Sequence, residues 1–247
     1  MRNIKLTLQY DGGGYHGWQR QENAVTVQET VEDAIYGCTG EQVSLIGCGR
    51  TDSGVHAKAY VCNFKTNSGI PAEKFSRAIN AHLPKEDICC YLAEDAEENF
   101  HAKKSAKKKR YTYYIQNSDF PDVFLKPYSW HFRPALELSQ MQKAAGAFLG
   151  THDFIGFASS GFSVKTTVRT IYELNVFRNG SQIVIDTIGN GFLYNMVRII
   201  VGTLVFAGCG KLRAEDMPEI IASCDRNRAG ITAPPEGLFL SEVYYEE

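Results

Sequence analysis

The 247-residue chain has no large excess of either charge, with 26 Lys and Arg against 28 Asp and Glu. Its net charge is −2, so no global basic field announces a nucleic acid, and any such partner must be held by a local patch. It also lacks a long hydrophobic run. Residues 199–209 are the most apolar stretch, and they are too short to span a bilayer. No export segment is read at the start, because Met1 leads directly into an alternating strand pattern. Paired zinc-ligand spacings are missing too. Seven cysteines is an odd count, and without an export signal they read as reduced thiols of a cytoplasmic protein. Together these features point away from a membrane protein, a disulfide scaffold and a zinc module. A hydrophobic content of 44% leaves a globular chain with a core to bury.

What is present is alternation of two kinds. Ile4, Leu6, Leu8 and Tyr10 recur every second residue, as in a half-buried strand. Thr26 and Glu29 have capping-box spacing, and Val27, Val31, Ala34, Ile35 and Cys38 follow with helical period. Strands are expected at 43–46, 60–64 and 88–92, with a helix opening at Pro71 and carrying Phe75, Ile79 and Leu83 on one face. The order is β-α-β-β-α-β, a ferredoxin-like arrangement.

The charge then switches abruptly. Acidic residues 94–98 give way to six cations in residues 103–110. This places a boundary between halves at 1–102 and 103–247. The second half begins like the first, with Tyr111, Tyr113 and Ile115 alternating. Ser139 and Gln142 suggest a second capping box, and Met141, Ala145, Phe148 and Leu149 a helical face. Asn179-Gly180 between 170–177 and 182–188 signals a hairpin. An apolar helix is expected over 192–207, a shorter one over 216–224, and a last strand over 238–245. The expected class is α+β: two similar ferredoxin-like halves with mainly antiparallel sheets and a positively charged cleft between them.

Candidate chemistry lies in a few places. Cys48-Gly49-Arg50-Thr51-Asp52-Ser53-Gly54-Val55-His56-Ala57 sits between two strands, its glycines allowing a sharp turn that brings Arg50 and Asp52 to a surface. Turn chemistry alone would explain an Asp between glycines. Arg198 lies in a helix apolar nearly all round, where a guanidinium is costly without a carboxylate or phosphate. A structural ion pair, with Asp186 for instance, would serve equally. Tyr111, where the basic run meets a strand, is either a core aromatic or a stacking platform for a base. Cys48 offers a thiol, but no base pairs with it in the sequence. His16, His56 and His101 lack metal-ligand spacing.

Taken together, the motifs resemble bacterial tRNA pseudouridine synthases of the TruA type. The resemblance is carried by Tyr10-Asp11-Gly12, Gly17-Trp18-Gln19-Arg20-Gln21, Val27-Gln28 and the Gly49–Ala57 block. It continues through Phe100-His101-Ala102, Lys109-Arg110-Tyr111-Thr112-Tyr113, Val168-Arg169-Thr170-Ile171, the 191–198 block ending in Met196-Val197-Arg198, and Glu236-Gly237-Leu238. Ser53 stands where the family often has Ala, and Lys103 where it commonly has Arg. The resemblance implies an isomerase that converts uridine to pseudouridine in the anticodon stem-loop of tRNA, without metal or cofactor, acting as a homodimer. It implies Asp52 as the catalytic carboxylate, Arg50 as a residue that displaces the base or holds a phosphate, Tyr111 packed on the flipped uracil, and Arg198 paired with Asp52. Two other readings stay open at the level of sequence: a non-catalytic RNA-binding module, and a thiol-dependent nucleotide enzyme using Cys48.

Overall fold

The structure is a computed structural model that describes residues 1–161 and 164–246. The chain divides into two compact units, one formed by 1–107 with 239–247 and the other by 108–238. The charge switch at 102–103 lies five residues before this boundary, and residues 239–247 return to the first unit.

In the first unit, β1 (Arg2–Tyr10) is followed by α1 (Val27–Thr39), β2 (Ile46–Gly47), β3 (His56–Thr66), α2 (Ala72–Asn80) and β4 (Ile88–Ala96). β1 lies between β4 and β3, antiparallel to both. β2 adds antiparallel to β3 through Ile46 and Gly47. The period-two residues Ile4, Leu6 and Leu8 are fully buried. α1 starts where the capping spacing puts it: the Thr26 side chain accepts from the Glu29 amide, and Gly40 ends the helix at φ +73. Val31 and Ile35 are buried completely, each worth roughly 1.5–3 kcal/mol relative to exposure. α2 ends at Asn80, before Pro84, and buries Phe75 and Ile79 while Leu83 lies beyond it.

One strand is shorter than expected. Residues 43–45 do not pair, because the Leu45 amide donates to Oε1 of buried Glu32 at 2.9 Å instead of entering a ladder. That carboxylate also accepts from Gln28 and from Arg20, so it is satisfied on several sides.

The second unit contains β5 (Lys108–Gln116), β6 (Trp130–His131), α3 (Leu138–Gly146), β7 (Gly150–Asp153), β8 (Val168–Asn179), β9 (Gln182–Gly189), α4 (Met196–Gly208) and α5 (Met217–Ala222). The sheet runs β5-β9-β8-β7, antiparallel throughout, with β6 parallel to one end of β5. The hairpin is present. Asn179 pairs with Gln182, so its two-residue turn is Gly180-Ser181, one position on from the expected pair, with Gly180 at φ +58. The cap of α3 is Glu137 rather than Ser139, whose amide and hydroxyl both donate to Glu137 Oε1. Leu149 is exposed, because α3 stops at Gly146 and Gly150, at φ +93, opens the short strand β7 that the pattern did not signal. α4 begins at Met196, four residues later than the apolar run, because Asn195 takes a left-handed conformation. The last strand, β10 (Leu238–Tyr244), runs parallel to β3 in the first unit through Phe239 and Leu240.

The coarse class therefore holds: α+β, with mostly antiparallel sheets and few helices. Among the described residues no helix is long and apolar enough to cross a membrane.

Candidate active site

The glycine-bracketed loop between β2 and β3 is held by most of the N-terminal motifs at once. The Tyr10 and Thr51 hydroxyls share a hydrogen bond of 2.8 Å. The Trp18 amide donates to the Thr51 carbonyl at 3.2 Å, and the Val55 amide to the Asp52 carbonyl at 3.1 Å. The Tyr15 carbonyl accepts from the Gly54 amide and the Ser53 hydroxyl. Tyr60, on β3, donates its hydroxyl to the Gly49 carbonyl while its ring stacks on Trp18 at 3.9 Å.

Two glycines make the fit possible. A Cβ on Gly12 would stand 2.0 Å from the Val55 carbonyl oxygen. A Cβ on Gly17 would stand 2.6 Å from the Thr51 oxygen, and Gly17 sits at φ +83. The Gly12 amide donates to Nδ1 of buried His56, whose ring stacks on Phe239. So Tyr10-Asp11-Gly12, Gly17-Trp18 and the Asp52 loop are one construction. Its products are a half-buried Asp52 and an exposed Arg50 on the same short loop.

The second unit carries the other two candidates. Tyr111 lies on β5, only 9% exposed, with its ring edge-on to Phe192 at 5.2 Å. Arg198 lies in the first turn of α4, partly buried. Its Nε donates to the Ala233 carbonyl and one terminal nitrogen donates to Asn195 Oδ1, both at 2.7 Å. The Ala233 amide returns a bond to the Arg198 carbonyl. Asp186 is held differently: Arg110 grips it through Nε and a terminal nitrogen, and Thr112 donates to it at 2.9 Å. Arg110 thus takes the role that the structural-pair reading offered to Arg198. Tyr113 donates its hydroxyl to the Pro234 carbonyl. Burial holds its proton on well above the usual phenol range, with Glu236 adding to this and Arg198 opposing it. Tyr113 and Arg198 therefore both anchor the Ala233-Pro234 segment.

Asn195, Ala233 and Pro234 were not singled out in the sequence. For Asn195 the available signal was an Asn at the start of an apolar helix. For the other two, only the Pro234-Pro235 pair hints at an extended segment.

Within the basic run, Lys103, Lys104 and Lys107 are exposed. The turn at 101–105 is local, with the His101 ring accepting from the Lys103 and Lys104 amides. Lys108 lies over the Tyr172 ring, 5.3 Å from its centroid. Cys48 is fully buried. Among the described residues no group of three or more His, Cys, Asp or Glu side chains is placed to hold a metal.

Comparison with known proteins agrees along the whole chain. The tRNA pseudouridine synthase family pattern matches residues 7–103 and 144–246. A tRNA pseudouridine synthase A of Acetivibrio thermocellus is 55% identical over 99% of this chain and 100% of its own. One from Thermoanaerobacter sp. is 51% identical and tRNA pseudouridine synthase A 2 of Clostridium perfringens is 49%, each with the same coverage. A solved Cbf5-Nop10-Gar1 complex gives only a slight likeness, with a TM-score of 0.37 and 9% identity, spanning 96% of this chain and 57% of that one. The chain belongs to the tRNA pseudouridine synthase family.

Proposed function

We propose that this chain converts uridine to pseudouridine in the anticodon stem-loop of tRNA, with Asp52 as the catalytic carboxylate. The isomerisation breaks the N1–C1′ bond and forms C5–C1′. C5 loses its proton and N1 ends protonated, so no atom is gained or lost. An ionised carboxylate can serve as nucleophile or base. A uridine in a stem is out of its reach, so the nucleotide must be extruded, at a cost of roughly a few kcal/mol.

The observation that carries this reading is the bracing of the Gly49–Val55 loop. Side chains and amides from β1, the Tyr15–Trp18 loop and β3 converge on it, and they brace the backbone that carries half-buried Asp52 beside exposed Arg50. Preorganisation of this kind is what a reacting group needs. Arg50 then displaces the base or holds a phosphate, and Tyr111 packs on the extruded uracil. Arg198 pairs with the Asp52 carboxylate and keeps it ionised and oriented. The sheet order β4-β1-β3-β2 supports a ferredoxin-like reading of the first unit. The positively charged cleft belongs to the same proposal and rests on the run at 103–110, whose exposed lysines suit phosphate contacts. A homodimer working in the cytoplasm completes the proposal, supported by the family resemblance.

The test is pseudouridine mapping. Purified wild type and Asp52→Asn are incubated with unmodified tRNA, with EDTA present and no cofactor added. Wild type is expected to place pseudouridine in the anticodon stem-loop. Asp52→Asn is expected to bind tRNA within about threefold of wild type and to make none, a rate loss of at least about a thousandfold. Wild-type binding without pseudouridine would leave an RNA-binding module instead.

A further inference from the structure

Asn195 is one of two non-glycine residues with positive φ among the described residues, at φ 60 and ψ 5. Asparagine tolerates this left-handed region better than most residues, and a residue held there points to a local demand. Asn195 is also the N-cap of α4. An Asn at that position ordinarily accepts a hydrogen bond from the amide two or three residues on. Here it makes no side-chain capping bond. Its Oδ1 accepts instead from the guanidinium of Arg198, the residue three positions into the helix, at 2.7 Å. The acceptor that would serve that residue's backbone serves its side chain.

The amide cannot be turned around. Nδ2 has no lone pair to offer a guanidinium, and it donates to Ser159 Oγ at 2.8 Å. Ser159 is tied in turn, its own amide donating to the Tyr194 carbonyl. On the other side of Arg198, the Ala233 carbonyl takes Nε. That segment is pressed against α4: a Cβ on Gly202 would lie 1.8 Å from the Ile231 carbonyl oxygen. The Gly230 amide donates to Thr203 Oγ1. A planar guanidinium held at two of its nitrogens has a fixed orientation.

We propose that Asn195 is a positioning residue for Arg198, with Ser159 holding its amide, and that its left-handed backbone is retained for this purpose. The proposal rests on the reading of Arg198 as the partner of the catalytic carboxylate.

The test uses Asn195→Gly, which accepts the positive φ and removes only the amide. Its kcat for pseudouridine formation in tRNA is expected to fall about ten- to hundredfold, with KM and tRNA affinity within about twofold. Arg198→Lys, which lacks the fork, is expected to lose more. In that background Asn195→Gly should cost no more than about a further twofold, because its effect runs through the fork. Ser159→Ala keeps the question decidable if Asn195→Gly melts early. It should lower kcat about two- to tenfold in the wild-type background, and by less than about twofold beside Arg198→Lys. Wild-type kcat for Asn195→Gly, or losses that add fully to that of Arg198→Lys, would overturn the positioning role. Wild-type kcat for Arg198→Lys would instead remove the reading of Arg198 beneath it.

Discussion

Tyr60 donates its hydroxyl to the carbonyl of Gly49, eleven residues earlier, and so ties β3 to the start of the loop that carries Asp52. Its ring is fully buried against Trp18, and burial pushes its phenol well above the usual range. Tyr60 is thus a neutral donor at any ordinary pH, its hydroxyl holding the loop and its ring packing on Trp18.

Tyr60→Phe keeps the stacked ring and removes only that bond. A stability loss of about 1–2 kcal/mol is expected in denaturant titration. Turnover should fall about tenfold with tRNA affinity unchanged, since the loop, and not the RNA surface, is loosened. Unaltered turnover would mean that the other contacts hold Asp52 by themselves.

Gly17→Ala attacks the same loop from its other side. The new methyl meets the Thr51 carbonyl at 2.6 Å in a backbone conformation that already disfavours a side chain. Thermal melting should report a loss of about 2–4 kcal/mol. Single-turnover assays, run where the variant remains folded, should show a rate at least about tenfold lower. A variant as active as wild type would show that the Gly17 backbone can move away without carrying Asp52 with it.

The first unit should also lose stability in alkali. Burial pushes the Cys90 thiol from its ordinary 9.0 up to about 11. The unfolded chain therefore gives up this proton first, and stability drains away as pH climbs between those two values. The full contribution is present below the lower one. Its size is at most about 3 kcal/mol. Cys62 is pushed in the same direction by burial, so wild type should fall by more than Cys90 alone explains. Denaturant midpoints at about pH 8 and about pH 11 should differ less for Cys90→Ala than for wild type. Parallel losses in the two proteins would show that Cys90 is not part of the effect.

Much of this was open to a reader of the sequence. The Thr26 cap and the burial of Ile4, Leu6 and Leu8 are where the pattern puts them, and the hairpin and the last strand lie within one residue of it. Each depends on bonds between near neighbours or on a period that one face must satisfy. The expectations that moved did so through side-chain partners that no period or turn signal names. Residues 43–45 left the sheet for Glu32, and Arg110 took the carboxylate that had been offered to Arg198. The start of α4 moved because Asn195 turns left-handed, with its side chain bound to Arg198 and Ser159.

By itself, then, the sequence determined the α+β class, the identity of the motifs and the residue types the chemistry needs. Those are properties of composition, period and local spacing. Only the tertiary structure decided why Gly12 and Gly17 are glycines, which carbonyl Tyr60 restrains and what holds the Arg198 guanidinium. Most of these are contacts between segments well apart in the chain, and the local one, Asn195 with Arg198, depends on the left-handed turn at Asn195. Such contacts are set by close packing and by the requirement that buried polar groups find partners, and no local pattern encodes which distant atom that partner is.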